Sequence, residues 1–338
     1  MKRLYFLPAL GFFLLAPVRA QDSVIAPNPL SQARERDCVQ QISVSVLSHD
    51  GRIIQGLGAP NFQGSLGHKP VEILSVVWDQ NPRRILILLD GRALRWTTET
   101  WELALNQAEE LVDRMAPASE IGLVAFTSRN KITLEFTRDR QNLRQIITKF
   151  QPMAAAKLKG PLQNGLWDAV YETLKTFVPP RDGDVLYVIS DGADTVSRID
   201  WRELKTAAIA TGVRIFAFRT QWMIGLDPAP VSGSPHKLQE LVDATGGYSI
   251  VHFKGVPGMA SAQLDLEIEE HPAEDRDRQF RQIYAYYRIG LHVPQGMDKP
   301  QKWDLRVIGP DEVKGNSVIY PQILASCSAS SRSSEQAH

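Results

Sequence analysis

The chain has 338 residues with 38 basic and 38 acidic side chains, so its formal net charge is zero. This balance gives no electrostatic basis for binding nucleic acid or for adhering to an anionic membrane. Hydrophobic residues make up 43% of the chain, which is ample for a packed core.

The first twenty residues have the layout of a secretory signal peptide. Lys2 and Arg3 precede the apolar run 4–16, and Val18-Arg19-Ala20 supplies a small-x-small cleavage site. The apolar run is shorter than the roughly 18 residues that a membrane span needs, and no later stretch is long enough. We therefore expect cleavage after Ala20 and a secreted or periplasmic protein without a membrane span. The mature chain then has 35 basic and 38 acidic residues, a net charge of −3.

Short β segments flank the middle of the mature chain. Residues 21–40 are polar and contain prolines, as a linker does, and 41–78 alternate apolar and polar residues around a turn. The stretch 274–322 begins as a helix and returns to β alternation, whereas 323–338 is rich in Ser and is expected to be disordered. Because few-stranded units are marginal alone, we expect both β flanks to pack together as one small domain.

The two cysteines, Cys38 and Cys327, lie beside these flanks. Neither belongs to a CxxC pair, and no zinc-binding spacing is present. If the flanks pair, the two residues approach each other, and a disulfide is then expected in an oxidising compartment. Two separate thiols are the alternative.

The middle of the chain, residues 82–255, alternates short apolar runs with helical periodicity. Ile85 to Leu89 is a five-residue apolar run, short enough for a strand buried on both faces. Apolar residues then recur at 3.6-residue spacing from Trp101 to Met115, which predicts a long helix. The predicted fold class is α/β: a doubly wound, mostly parallel sheet flanked by the small β domain.

Three polar stretches fall where strands end or helices begin, and ligands bind at the carboxyl ends of strands in an open α/β sheet. They are Asp90-Gly91-Arg92-Ala93-Leu94, Gln163-Asn164-Gly165 and Ser190-Asp191-Gly192-Ala193-Asp194. These stretches resemble the von Willebrand factor A (vWA) family, in the branch found in exported bacterial proteins. Weaker similarities extend the resemblance over about residues 40–322. The resemblance implies a vWA/Rossmann-like fold and a role in protein recognition.

The resemblance also implies a position for a metal. In that family an Asp-x-Ser-x-Ser segment, a Thr and a later Asp bind a divalent cation, which takes a further ligand from a carboxylate of the partner. Carried over, Asp90 and Asp191 match the carboxylates, Asn164 stands at the Thr position, and Arg92 and Leu94 replace the two serines. The expectation is a degenerate metal site of Asp90, Asn164 and Asp191 with no bound cofactor. Arg92 should then lie within hydrogen-bond reach of a carboxylate, and Mg²⁺ is the alternative cofactor.

The loops at the carboxyl edge combine cationic and apolar side chains. Arg and Trp are over-represented at the energetic centres of protein interfaces, so we expect a binding surface here for a protein partner with acidic side chains. The residues predicted to form this surface are Arg92, Leu94, Arg95, Trp96, Lys159, Arg198 and Trp222.

Motifs for catalysis are missing from the sequence. It contains no GxxxxGK[ST] loop, no HExxH pair and no GxSxG elbow. The sequence therefore predicts a non-catalytic binding module. A hydrolase using Asp191 and Asp194, and a structural scaffold of the cell envelope, are the two alternatives.

Overall fold

The computed structural model describes residues 38–91, 98–126, 131–150, 164–222, 235–254, 272–293, 297–309 and 316–327. The expected signal peptide and most of the expected linker lie outside these residues. No helix among the described residues is long and apolar enough to cross a membrane.

The described elements form a β flank, an alternating α/β middle and a second β flank. The first flank contains β1 (Cys38–Leu47), β2 (Phe62–Leu66) and β3 (Lys69–Asp79). The middle contains β4 (Arg84–Asp90), α1 (Thr98–Arg114), β5 (Glu120–Phe126), β6 (Lys131–Thr137), α2 (Arg140–Lys149), α3 (Leu166–Leu174), β7 (Val185–Ser190), α4 (Trp201–Thr211), β8 (Arg214–Trp222), α5 (Pro235–Ala244), β9 (Ser249–Lys254) and α6 (Pro272–Tyr284). The second flank contains β10 (Tyr286–Val293), β11 (Gln301–Lys302), β12 (Asp304–Val307), β13 (Ser317–Ile319) and β14 (Ile323–Leu324).

The central sheet has the strand order β6-β5-β4-β7-β8-β9, and only the edge strand β6 is antiparallel to its neighbour. Ile85, Ile87 and Leu89 of β4 pack in the apolar cluster that includes α1, α2 and α6, whereas Leu86 and Leu88 pack in the cluster that includes α3, α4 and α5. A strand covered on both faces needs an unbroken apolar run, which explains why β4 lacks polar alternation. The predicted doubly wound sheet is confirmed.

The two β flanks form one antiparallel sheet with the order β12-β2-β3-β10-β1-β13. The C-terminal strand β10 lies between the N-terminal strands β1 and β3, so neither flank can complete the sheet without the other. Its apolar face buries Val44, Tyr287, Ile289 and Trp303 in a third core. The small β domain predicted from both ends of the chain is confirmed.

Buried arginines join the β flanks to the central sheet. Arg83 pairs with Asp79 of β3 at 2.9 Å and donates to the carbonyl of Tyr284 at 3.2 Å, while Arg214 of β8 donates to the carbonyl of Gln282 at 2.9 Å. These carbonyls belong to the last turn of α6, where cations are favourable. Burial lowers the pKa of Arg214 to about 10, which leaves it protonated at neutral pH.

Two boundaries differ from those expected. β1 begins at Cys38, so the linker assigned to 21–40 ends earlier, because Cys38 and Gln40 already face the core beside β10. The tail assigned to 323–338 starts later, because β14 pairs with β11 and buries Leu324.

Candidate functional site

The candidate site lies at the carboxyl edge of the central sheet, where β4 and β7 end side by side. Leu89 pairs with Ile189 in parallel register, so Asp90 and Ser190 follow at neighbouring strand ends. Asp90 is fully buried and Asp191 is only 8% exposed. The strand pairing thus brings together residues that are about 100 positions apart, as the vWA resemblance implied for Asp90 and Asp191.

A hydrogen-bonded cluster surrounds the buried carboxylate of Asp90. Its Oδ2 atom accepts from Nδ2 of Asn164 at 2.8 Å and from the hydroxyl of Ser190 at 2.7 Å. The same Nδ2 atom donates to the carbonyl of Ala193 at 2.8 Å. An amide oxygen in this place would face two acceptors, so the chemistry of the neighbours sets the orientation of the Asn164 amide. Its Oδ1 atom is buried without a hydrogen-bond partner among the described residues.

The segment after β7 folds back over this cluster. Gly192 has φ of +78°, a conformation that favours glycine, and its N–H donates to the hydroxyl of Ser190 at 3.1 Å. Asp191 accepts the N–H of Ala193 at 2.9 Å. Thr195 bonds to the backbone of Asn164: its hydroxyl accepts the N–H of Asn164 at 2.7 Å, and its own N–H donates to the carbonyl of Asn164 at 2.7 Å. Asn164 is therefore bonded to the 191–197 segment through both its side chain and its backbone.

Asp194 and Asp168 accept hydrogen bonds from backbone N–H groups, at the start of α3 and in the segment before α4 respectively. Oδ1 of Asp194 accepts the N–H of Trp167 at 3.2 Å and the hydroxyl of Ser197 at 2.5 Å, so it caps α3, whose own N-cap residue is a glycine. Asp168 accepts the N–H groups of Arg198 and Ile199 at 3.0 and 2.9 Å. Burial raises the pKa of Asp194, and its bonds to Ser197 and Trp167 oppose that shift. These bonds give both carboxylates structural roles.

Among the residues that the structure describes, the side chains at the position that the vWA resemblance implies do not fit a divalent cation. Magnesium requires hard oxygen ligands in a near-octahedral set. Asn164 directs its Nδ2 donor rather than its oxygen at Asp90, and the Ser190 hydroxyl also donates to Asp90. Within the described parts of the chain, no group of three or more His, Cys, Asp or Glu side chains is arranged to bind a metal.

An exposed surface adjoins the cluster, and we call it the upper patch: Val196, Arg198, Trp201 and Lys237. Val196 is 44% exposed, and the Trp201 ring packs edge-on against Trp167 with centroids 5.3 Å apart. The ammonium group of Lys237 lies 5.5 Å from the centre of the Trp201 ring, within range of a cation–π interaction. The patch combines positive charge with a partly exposed aromatic surface.

Of the surface residues predicted from the sequence, Arg198 is described with its side chain and is exposed. Trp222 ends β8, and nothing is described of its side chain. Arg92, Leu94, Arg95, Trp96 and Lys159 lie outside the described residues, as does the expected contact of Arg92 with a carboxylate.

Arg219 lies within β8 and is 8% exposed, because its guanidinium turns toward Ser249 and Gln239. Sequence reasoning missed the roles of Ser190, Thr195 and Ser197. The only available signal was their place in or just after the Ser-Asp-Gly-x-Asp stretch.

The doubly wound sheet and the aspartates at its adjacent strand ends are those that the resemblance implied, and the central domain has a vWA-like fold. Its similarity to solved structures is as follows. BatB from Bacteroides thetaiotaomicron is 16% identical with a TM-score of 0.42, covering 59% of this chain and 97% of that one. A zinc-occupied proximal thread matrix protein 1 from the mussel byssus is 15% identical with a TM-score of 0.39, and the match covers 53% of this chain and 45% of that one. The SpRpn10 VWA domain is 12% identical with a TM-score of 0.35, and the match covers 51% of this chain and 89% of that one. No family model and no curated protein matches the sequence.

Proposed function

We propose that this chain is an exported, non-catalytic binding module that recognises a protein partner through the upper patch and the adjoining loops. The observation that carries this proposal is the pair of cations, Arg198 and Lys237, beside the partly exposed Trp201 ring. The carboxylates of Asp90, Asp168 and Asp194 accept internal hydrogen bonds, whereas Arg198 and Lys237 are at the surface. A partner with acidic side chains complements such a surface.

The loops on either side extend the proposed surface. The sequence places Arg92, Leu94, Arg95 and Trp96 directly after β4, and Lys159 shortly before Asn164. Export is proposed from the signal-peptide pattern of residues 1–20. The N-terminus of the exported chain should therefore be Gln21.

Reversing the charge of the upper patch tests the proposed surface. We expect Arg198→Glu with Lys237→Glu to weaken partner binding about tenfold or more, because two attractive contacts become repulsive. The partner is first isolated from envelope extract with the wild-type chain and purified, and its Kd is then measured by biolayer interferometry. Wild-type binding should also weaken as salt rises, because salt screens exposed charges.

A control variant with the same charge reversal on the β flanks distinguishes binding through the upper patch from docking through the flanks. Lys69→Glu with Lys302→Glu makes the same charge change at two exposed positions of β3 and β11. We expect this variant to bind like the wild type. If it loses binding while the upper-patch variant keeps it, the chain docks through its flanks and the proposed surface is wrong.

A hydrolase using Asp191 and Asp194 is the competing function. An acid–base pair needs carboxyl oxygens that reach the substrate, and Oδ1 of Asp194 already accepts two hydrogen bonds. Asp191→Asn keeps an oxygen for the N–H of Ala193 while removing the charge, so it separates catalysis from folding. We expect neither the wild type nor this variant to turn over ester, phosphoester, glycoside or peptide substrates. Turnover by the wild type that Asp191→Asn abolishes would establish the hydrolase instead.

A further inference from the structure

We infer that the side-chain amide of Asn164 takes the place of the divalent cation and joins the end of β4 to the segment after β7. One nitrogen, Nδ2, lies 2.8 Å from the carboxylate of Asp90 and 2.8 Å from the carbonyl of Ala193. The amide therefore links two acceptors on two separate segments, which is the structural task of a bound cation.

The charge of Asp90 explains why a donor is required at this point. A fully buried carboxylate must be hydrogen-bonded or paired, and Asn164 and Ser190 both donate to the same oxygen atom of Asp90. Donors of this kind stabilise the carboxylate without adding a second carboxylate or requiring an ion.

The backbone of Asn164 prepares its side chain for this role. Its N–H donates to the Thr195 hydroxyl, and its carbonyl accepts the N–H groups of Thr195 and Val196 at 2.7 and 3.1 Å. These bonds fix Asn164 against the same segment that its side chain bridges to Asp90. The carboxyl edge, including Val196 of the upper patch, is thus assembled by the chain itself. The role of Asn164 does not depend on which partner the patch binds.

The isosteric substitution Asn164→Asp tests this role. It replaces the donor with a second carboxylate facing Asp90, and the repulsion should lower the melting temperature by about 5 °C or more. A divalent cation should relieve the repulsion, so 10 mM MgCl₂ should raise the melting temperature of this variant above that in NaCl of equal ionic strength. The wild type should show no such rise. A wild type stabilised by Mg²⁺, or an Asn164→Asp variant as stable as the wild type, overturns the inference.

Two further variants separate the hydrogen bonds from the charge. Asn164→Ala removes both bonds without adding charge, so its melting temperature should fall and should not respond to Mg²⁺. Asn142→Asp adds the same charge at an exposed position in the first turn of α2, and neither its stability nor its response to Mg²⁺ should differ from the wild type. If Asn164→Asp does not fold, Mn²⁺ binding to the wild type, followed by electron paramagnetic resonance, decides the question. Binding tighter than about 1 mM overturns the inference, and its absence supports it.

Discussion

Reduction of a Cys38–Cys327 disulfide is expected to lower the melting temperature of the exported protein by about 10 °C. Closing a loop of about 290 residues contributes about 6 kcal/mol in the chain-entropy model. For a domain of this size, each kcal/mol corresponds to about 2 °C in melting temperature. Sequence reasoning expected this bond in an oxidising compartment, and it stays a prediction.

The structure brings the two residues together from opposite ends of the described chain. Cys38 begins β1 opposite Val293, and the N–H of Cys327 donates to the carbonyl of Met297 at 3.0 Å. Both residues are thiols in the structure, and their side chains are within hydrogen-bonding range. Burial, together with the hydrogen bond to Cys38, raises the pKa of Cys327 to about 12.

The raised pKa has a kinetic consequence. Because the thiolate is the attacking species, a folded dithiol should react slowly with oxidised glutathione at neutral pH.

Thiol titration of the denatured, exported protein checks for the bond, and two reactive thiols per chain would contradict it. Reductant should lower the melting temperature of the wild type but leave that of the Cys38→Ser, Cys327→Ser double variant unchanged. A wild type that is insensitive to reductant would show that no disulfide stabilises the exported protein.

Asp184→Ala is the second substitution with a large expected effect, a loss of about 3–5 kcal/mol in the free energy of unfolding. Asp184 pairs with Arg84 at 2.5 Å, and their side chains are 1% and 7% exposed. Arg84 also donates to the carbonyls of Phe177 and Pro179. Removing Asp184 leaves a buried guanidinium without its counter-ion and leaves the N–H of Arg181 without its acceptor.

A double-mutant cycle measures the coupling within this pair. Arg84→Met with Asp184→Asn removes both charges and keeps an acceptor for Arg181. We expect it to be less destabilised than the sum of the single variants Arg84→Met and Asp184→Asn, as urea unfolding would show. Additive single effects would mean that the ion pair is not coupled.

The single variant Arg84→Met should also become less stable as pH rises. Burial raises the pKa of Asp184 in the folded protein, although Arg84 and the N–H of Arg181 oppose the shift. Without Arg84 the pKa of Asp184 rises further above its unfolded value, so this carboxyl binds its proton more tightly in the folded state than in the unfolded state. That stabilisation is complete at low pH and is lost as pH rises through the folded pKa. The free energy of unfolding of Arg84→Met should therefore be lower at pH 8 than at pH 5. Equal values at the two pH values would contradict the prediction.

Much of the fold could be predicted because the burial of a strand or helix determines the spacing of apolar residues along the sequence. The unbroken apolar run of β4 reflects a strand covered on both faces, and the 3.6-residue spacing in α1 reflects a helix with one buried side. Alternation in β1 and β10 likewise indicated a sheet with one apolar face. The apolar runs before Asp90 and Asp191 placed both residues at strand ends, and the vWA resemblance implied that these ends are adjacent.

Only the tertiary structure decided how these residues are used. Hydrogen bonds depend on atomic distances between segments far apart in sequence, and no local pattern records them. The sequence therefore identified Asn164 as a weak metal ligand, whereas its nitrogen faces both Asp90 and Ala193. It likewise could not show that β10 lies between β1 and β3, or that Arg219 turns inward from β8, because register and side-chain direction are set by packing between elements.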